Sequence, residues 1–157
     1  MLKINIFVKD NKCKPEKADG GDLYDLKIYN ITNLLPSQKT KNGWKIYTED
    51  FIMVDFGLII QLPEGWRANI YPRSSLFKRH GLILVNSVGI IDNAYRGKTD
   101  FIQGHFYCIK KYHQSELLKY ERIAQIEIVK IMPQFYIKWI DKVEEESRGG
   151  IGKTGRL

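Results

Sequence analysis

Five separated segments of the chain, three of them glycine-bearing, carry carboxylate, hydroxyl, amide or guanidinium groups, the groups that bind and split phosphate esters. In the longest, Asn86-Ser87-Val88-Gly89-Ile90-Ile91-Asp92-Asn93-Ala94-Tyr95-Arg96-Gly97, an aspartate follows two isoleucines. An apolar pair beside Asp92 would strip water from its carboxylate, and a partly desolvated carboxylate takes a proton from water near neutral pH. The segment predicts a β-hairpin with Asp92-Asn93 at its turn or its mouth, where the same two residues could equally be plain turn formers. Tyr71-Pro72-Arg73-Ser74-Ser75-Leu76 reads as the end of a strand and the start of a helix. A helix start directs unpaired N–H groups and the positive end of its dipole outward. Arg73, Ser74 and Ser75 add donors, a set that suits phosphate; serines also cap helices with no ligand present.

The other segments say less alone. Gly20-Gly21-Asp22-Leu23-Tyr24-Asp25-Leu26 sets two carboxylates beside glycines at a strand start, where Asp and Gly also simply turn the chain. Glu121-Arg122-Ile123-Ala124-Gln125 opens a strand with an ion-pair candidate and an amide. Near the C-terminus, Arg148-Gly149-Gly150-Ile151-Gly152-Lys153-Thr154-Gly155 approaches a P-loop. Ser147 stands where that pattern needs its first glycine, and neither a buried strand before it nor a helix after it is expected. What remains is a glycine-rich arm whose N–H groups, Arg148 and Lys153 could wrap a polyphosphate.

The elements that must carry these groups are short. Leu2 to Val8, Phe51 to Leu62, Arg67 to Tyr71, Leu82 to Val85, Phe101 to Ile109, Ile123 to Met132 and Phe135 to Ile140 are apolar, β-branched runs bounded by turn residues, and each predicts a strand. Turn signals fall at Thr40-Lys41-Asn42-Gly43, Leu62-Pro63-Glu64-Gly65 and Met132-Pro133. One short helix is expected over Ser74 to Gly81, capped by the serines and ended by the glycine. Many short strands with one helix predict an all-β sandwich or jelly roll.

With 157 residues the chain suits one domain. No run of about twenty apolar residues could span a bilayer, and Met1-Leu2-Lys3-Ile4-Asn5-Ile6 lacks the features of a signal peptide, so a cytosolic protein is expected. Cys13 and Cys108 have neither disulfide-framework nor zinc spacing and read as structural. The net charge of +7 is dispersed, with 25 Lys and Arg interleaved with 18 acids, and suits a phosphate-bearing small molecule at least as well as nucleic acid. No aromatic-basic platform for nucleic acid is recognisable.

In this order, the five segments resemble the five motifs of the trimeric dUTPase family, from about residue 18 to residue 155. The motif residues are Leu62-Pro63-Glu64-Gly65 before Pro72-Arg73-Ser74-Ser75, Gly89-Ile90-Ile91-Asp92 with Tyr95-Arg96-Gly97, Arg122-Ile123-Ala124-Gln125, and Arg148-Gly149-Gly150. The Gly-Asp-x-x-Asp-Leu form of the first motif and the Asn86-Ser87 pair are most similar to the branch from Gram-positive bacteria and their phages.

The resemblance implies a distorted jelly-roll β-barrel over residues 1–142, assembling as a homotrimer. A flexible arm over residues 143–157 would close over a neighbouring subunit's site, in a bacterial or phage-infected host cytosol. It implies hydrolysis of dUTP to dUMP and pyrophosphate with Mg²⁺. Asp92 would activate the attacking water, and the ring of Tyr95 would pack on the deoxyribose and clash with a 2′-hydroxyl. Asn86, Gly89 and Ile91 would lie on the uracil-reading edge, with Arg73, Ser74, Ser75 and Gln125 on the phosphates. Arg148, Gly150, Lys153 and Thr154 would bind from the arm. Asp25, which Leu26 follows as the family pattern expects, would hold the metal through water in preference to Asp22. Ile151 stands where the family's arm usually has an aromatic that stacks on uracil; Phe101 is the candidate replacement. A dCTP deaminase of the same fold would need a glutamate just beyond the third motif, and Gly97 to Gly104 contains none. A regulatory role, capturing a repressor or other protein partner on the same scaffold, is the alternative of a different class.

Overall fold

The computed structural model describes residues 2–147. Its strands in chain order are β1 (Asn5–Val8), β2 (Glu16–Lys17), β3 (Tyr24–Lys27), β4 (Asn30–Ile31), β5 (Gly43–Tyr47), β6 (Phe51–Asp55), β7 (Leu58–Gln61), β8 (Trp66–Pro72), β9 (Leu82–Leu84), β10 (Gly89–Ile91), β11 (Gln103–Cys108), β12 (Gln114–Leu118) and β13 (Arg122–Lys130), with one α-helix, α1 (Leu76–His80), between β8 and β9. The fold is all-β with one short helix, as expected. Its described strands form a five-stranded sheet in the order β10-β8-β13-β3-β2, a four-stranded sheet β4-β6-β11-β9 and two-stranded ribbons β1-β7 and β12-β5. Hydrogen bonding among the described strands does not close them into a barrel; the sheets face one another as open layers of a jelly roll.

The core explains why these runs are strands. Along β11, Gly104, Phe106 and Cys108 point inward while Gln103 and His105 point to solvent, the period of a half-buried strand. Leu26, Ile28, Ile46, Ile52, Val54, Phe56, Leu58, Ile60, Ile70, Ile102 and Phe106 meet in one buried cluster. Cys108 is buried within it, Cys13 is buried outside it, both are free, and burial pushes both thiols up.

Three expectations need correction. Phe51 to Leu62 is two strands: at Gly57, with φ +68, the chain leaves the β6 sheet for the β7 ribbon, and an added Cβ there would lie 2.8 Å from Tyr29. The segment from Asn86 to Gly97 is no local hairpin. β9 pairs with β11 while β10 pairs with β8, so the chain crosses between sheets at Val85 to Val88, with Ser87 at φ 59. Phe135 to Ile140 is not a strand: among the described residues it pairs with no other segment, regular structure ends with β13 at Lys130, and the residues from 131 to 147 are exposed.

Candidate active site

β13 lies between β8 and β3, and its register aligns three distant segments. Gln125 stands opposite Tyr71 on one side and Asp25 on the other, with Ala124 opposite Pro72. The ladder to β3 shifts between Arg122 and Ala124, a bulge that aims Arg122 at Asp25. Asp25 is fully buried. Its Oδ1 accepts from Arg73 Nε at 3.1 Å and from Gln125 Nε2 at 3.2 Å, and its Oδ2 lies 3.3 Å from Arg122 Nη1. Arg73 Nη1 also donates to the Arg122 carbonyl at 3.4 Å. The carboxylate between two guanidiniums holds Arg73 in place. Asp22 is exposed and outside this cluster, so Asp25 is the aspartate built into the site.

Arg73 and Ser74 also line a cavity of about 390 Å³ with Phe77, Leu84 and Ser87. Ser75 is the N-cap of α1 but its hydroxyl makes no capping bond, contrary to the expected capping role. Gly81 ends the helix as expected, left-handed at φ 65 with its N–H on the Phe77 carbonyl. α1 is tied down by His80, whose Nε2 meets Glu121 Oε1 at 2.8 Å and whose Nδ1 meets Ser115 Oγ at 3.2 Å.

The third motif builds a second pocket, of about 250 Å³, in which Asn86, Gly89, Ile91 and Tyr95 come together with Ile70, Leu84, Gln103, Gly104 and His105. Gly89 lets β10 approach β8 closely; a Cβ there would lie 3.2 Å from that of Ile70. Gly104 also lines this pocket, and a Cβ there would come within 2.8 Å of the Phe106 ring in the core. Tyr95 donates its hydroxyl to the Phe101 carbonyl at 3.0 Å. Burial raises the Tyr95 phenol, with Asp100 and Asp55 adding to the effect, so it stays protonated. Asn93 donates its side-chain amide to the Leu62 carbonyl and pins the turn that follows Asp92.

Asp92, one residue beyond β10, is exposed; in the single chain the isoleucines before it do not desolvate it. It lines a third cavity, of about 560 Å³, with Arg67, Ile131, Met132, Pro133, Gln134 and Phe135. One subunit therefore gathers Asp25, Arg73 and Gln125 in one cluster, Ser74 beside them, and Asn86, Gly89, Ile91 and Tyr95 in one pocket. It leaves Asp92 and Arg73 on different cavities. Phe101 does not line the 250 Å³ pocket: its ring is held edge-on by Phe7 at 6.3 Å and lies under Lys9 Nζ at 3.7 Å. Arg148, Gly150, Ile151, Lys153 and Thr154 lie outside the described residues. Arg67, Gln103 and His105 were missed in the sequence, since residues on ordinary strands carry no local signal; only the fold puts them beside the motifs.

The dUTPase family model matches residues 42–155. The chain is 37% identical over 154 residues to the SPbeta prophage-derived deoxyuridine 5'-triphosphate nucleotidohydrolase of Bacillus subtilis, covering 98% of this chain and 97% of that one. Among solved structures it resembles the Staphylococcus bacteriophage 80alpha dUTPase with dUpNHpp, at TM-score 0.67 and 18% identity over 98% of each chain. It also resembles the dUTPase from phage phi11 of S. aureus, for which coordination of a structural Mg(II) ion is described, at TM-score 0.66 and 15% identity over 91% of this chain and 99% of that one. A model matched over most of the length, a relative aligned nearly end to end, and motifs that the fold gathers into one charged cluster and a small pocket agree: this chain belongs to the dUTPase family.

Proposed function

We propose that the chain is a dUTP diphosphatase that hydrolyses dUTP to dUMP and pyrophosphate, with Asp92 as the base that draws a proton from the water attacking the α-phosphorus. The observation that carries this reading is the convergence of Asn86, Gly89, Ile91 and Tyr95 on one 250 Å³ pocket, on the strand that leads into Asp92. Uracil enters that pocket. Asn86 and the backbone at Gly89 read its polar edge, and Gly104 and the side chain of Ile91 leave little room beyond a flat ring. A missed hydrogen bond in such a slot costs about 1–3 kcal/mol per buried group, and several together separate uracil from cytosine. Tyr95, braced on the Phe101 carbonyl, packs on the deoxyribose and excludes a 2′-hydroxyl.

Arg73, Ser74, Ser75 and Gln125 hold the phosphate chain, with Arg73 and Gln125 already anchored on Asp25. Orienting the α-phosphorus for in-line attack supplies most of the catalysis. Asp92 adds about 10²- to 10⁴-fold as a general base. Because Asp92 and Arg73 face different cavities of one chain, the site is completed by neighbouring subunits in a homotrimer, with the arm over residues 143–157 closing it through Arg148, Gly150, Lys153 and Thr154. The strand-bearing domain and this arm work in the cytoplasm; among the described residues no helix is long and apolar enough to cross a membrane.

Mg²⁺ fits this donor set. Among the described residues no three His, Cys, Asp or Glu side chains form a cation cage. Asp25 Oδ2, however, is buried without a hydrogen-bond partner beneath the half-exposed Arg122. A single carboxylate acting through water suits a cation that prefers phosphate oxygens and retained waters. Bound there, Mg²⁺ would neutralise phosphate charge and help orient the leaving pyrophosphate. The test is direct: the purified protein releases pyrophosphate from dUTP in the presence of Mg²⁺, and ammonia released from dCTP instead would replace this reading with a deaminase.

A further inference from the structure

We propose that Arg67 is a further substrate-contacting residue, donating to an α-phosphate oxygen of the nucleotide across the cavity it shares with Asp92. The inference rests on the proposed function and adds a cation that none of the five motifs contains. β10 and β8 pair antiparallel with Gly89 opposite Ile70, Ile90 opposite Asn69 and Ile91 opposite Ala68. One step further along the same register, Asp92 stands opposite Arg67. Residues opposite one another in an antiparallel pair send their side chains to the same face, and both line the same cavity of about 560 Å³.

The guanidinium has no other employment. Arg67 Nε is buried and has no hydrogen-bond partner, and no ion pair among the described residues engages the side chain. A buried cationic N–H without an acceptor is rare and costly in a folded protein. The obvious acceptor, Asp92, is its cross-strand neighbour and yet forms no ion pair with it. Closing Arg67 onto Asp92 would occupy the carboxylate that must take the proton. Facing the cavity instead, the two charges suit the two sides of one reaction: Asp92 the water, Arg67 the phosphoryl oxygens on which negative charge grows. A planar guanidinium fork matches phosphate geometry better than an ammonium does. Ile131, Met132, Pro133, Gln134 and Phe135 line the rest of the cavity.

The experiment compares Arg67→Gln and Arg67→Lys with the wild-type protein. It measures affinity for dUMP and for deoxyuridine by calorimetry, kcat and KM for dUTP, and the thermal midpoint. Arg67→Gln is expected to weaken dUMP by about tenfold or more while deoxyuridine binds within about twofold of wild type, and to lower kcat/KM for dUTP by about a hundredfold. Arg67→Lys, which keeps the charge without the fork, is expected to recover part of that loss. Unchanged dUMP affinity in Arg67→Gln overturns the inference. So does an equal loss for dUMP and deoxyuridine with a lowered midpoint, the mark of a structural role. If Arg67→Gln does not fold, dUMP affinity in Arg67→Lys equal to wild type overturns it as well. A wild-type protein that leaves dUTP intact removes the proposed function and this inference with it, whereas active wild type with unaltered variants removes the inference alone.

Discussion

Asp25 and Asp92 show how environment divides two chemically identical side chains. Asp25 is buried between Arg73 and Arg122, and its Oδ1 holds Arg73 and Gln125 while its Oδ2 lies 3.3 Å from Arg122 without a hydrogen bond. Replacing it with alanine leaves two cations facing each other. The expected cost is about 3 kcal/mol, the lower end for a broken buried pair because Arg122 reaches solvent. A thermal midpoint lowered by about 6–12 °C would register this, and a midpoint within a degree of wild type would show that the arginines need no counter-charge. Asp92, exposed and without a bonded partner among the described residues, is free to serve as a base. Asp92→Asn should keep dUpNHpp affinity within a few-fold and reduce dUTP turnover by about a hundredfold or more. Undiminished turnover would remove Asp92 from the mechanism. Both aspartates were legible as candidates from their neighbours in sequence. The burial of Asp25 and the exposure of Asp92 were not, since each is set by strands from elsewhere in the chain.

At the scale of elements, the short helix α1 is positioned by its contacts rather than by its own propensity, since five residues cannot hold a helix alone. Its anchor is the His80 bond to Glu121, which sits next to Arg122 and so links the helix after Arg73-Ser74-Ser75 to the strand that carries the other arginine. Burial pushes the Glu121 carboxyl up, but bonds from His80 and the Leu118 N–H, with the charges of His80 and Arg79, outweigh it and hold it below its ordinary 4.5. A carboxyl that is more acidic folded than unfolded contributes stability above about pH 4.5, and that contribution is lost as pH falls through the folded value. Glu121→Gln should therefore flatten the decline of the urea midpoint below about pH 4.5; a decline as steep as that of wild type would show that this pair does not govern it. At the same end of the helix, Gly81→Ala puts a Cβ 2.5 Å from that of Lys110 in a left-handed conformation. A loss of about 1–3 kcal/mol in chemical denaturation is expected. The helix and its glycine stop were readable from the pattern Ser-Ser to Gly, whereas its anchor 35 and 41 residues away was not.

For the whole molecule, the most telling feature is the uncovered apolar stretch after β13. Ile131, Met132, Phe135, Ile137, Ile140 and Val143 are exposed, and Tyr136 and Trp139 are each 88% exposed. So much contiguous apolar surface calls for a partner, and a trimer with shared sites supplies one. Ile137→Glu combined with Trp139→Lys should shift the protein from trimer toward monomer in sedimentation and lower dUTP hydrolysis by about tenfold or more at dilute protein. Full activity from a monomeric variant would place the whole site in one chain. By itself the sequence determined the strand-rich class, the single helix and the identity of the chemical groups, because alternation, turn residues and the Gly-Ile-Ile-Asp and Pro-Arg-Ser-Ser clusters are local. Only the tertiary structure decided which groups meet: the register of β13 against β8 and β3 brings Arg73, Gln125 and Asp25 together across as many as 100 residues, and the crossover at Ser87 sends the third motif to a different sheet. A chain senses its near neighbours through propensity, but contacts between distant segments exist only once the strands have chosen partners and burial has fixed which face of each turns inward.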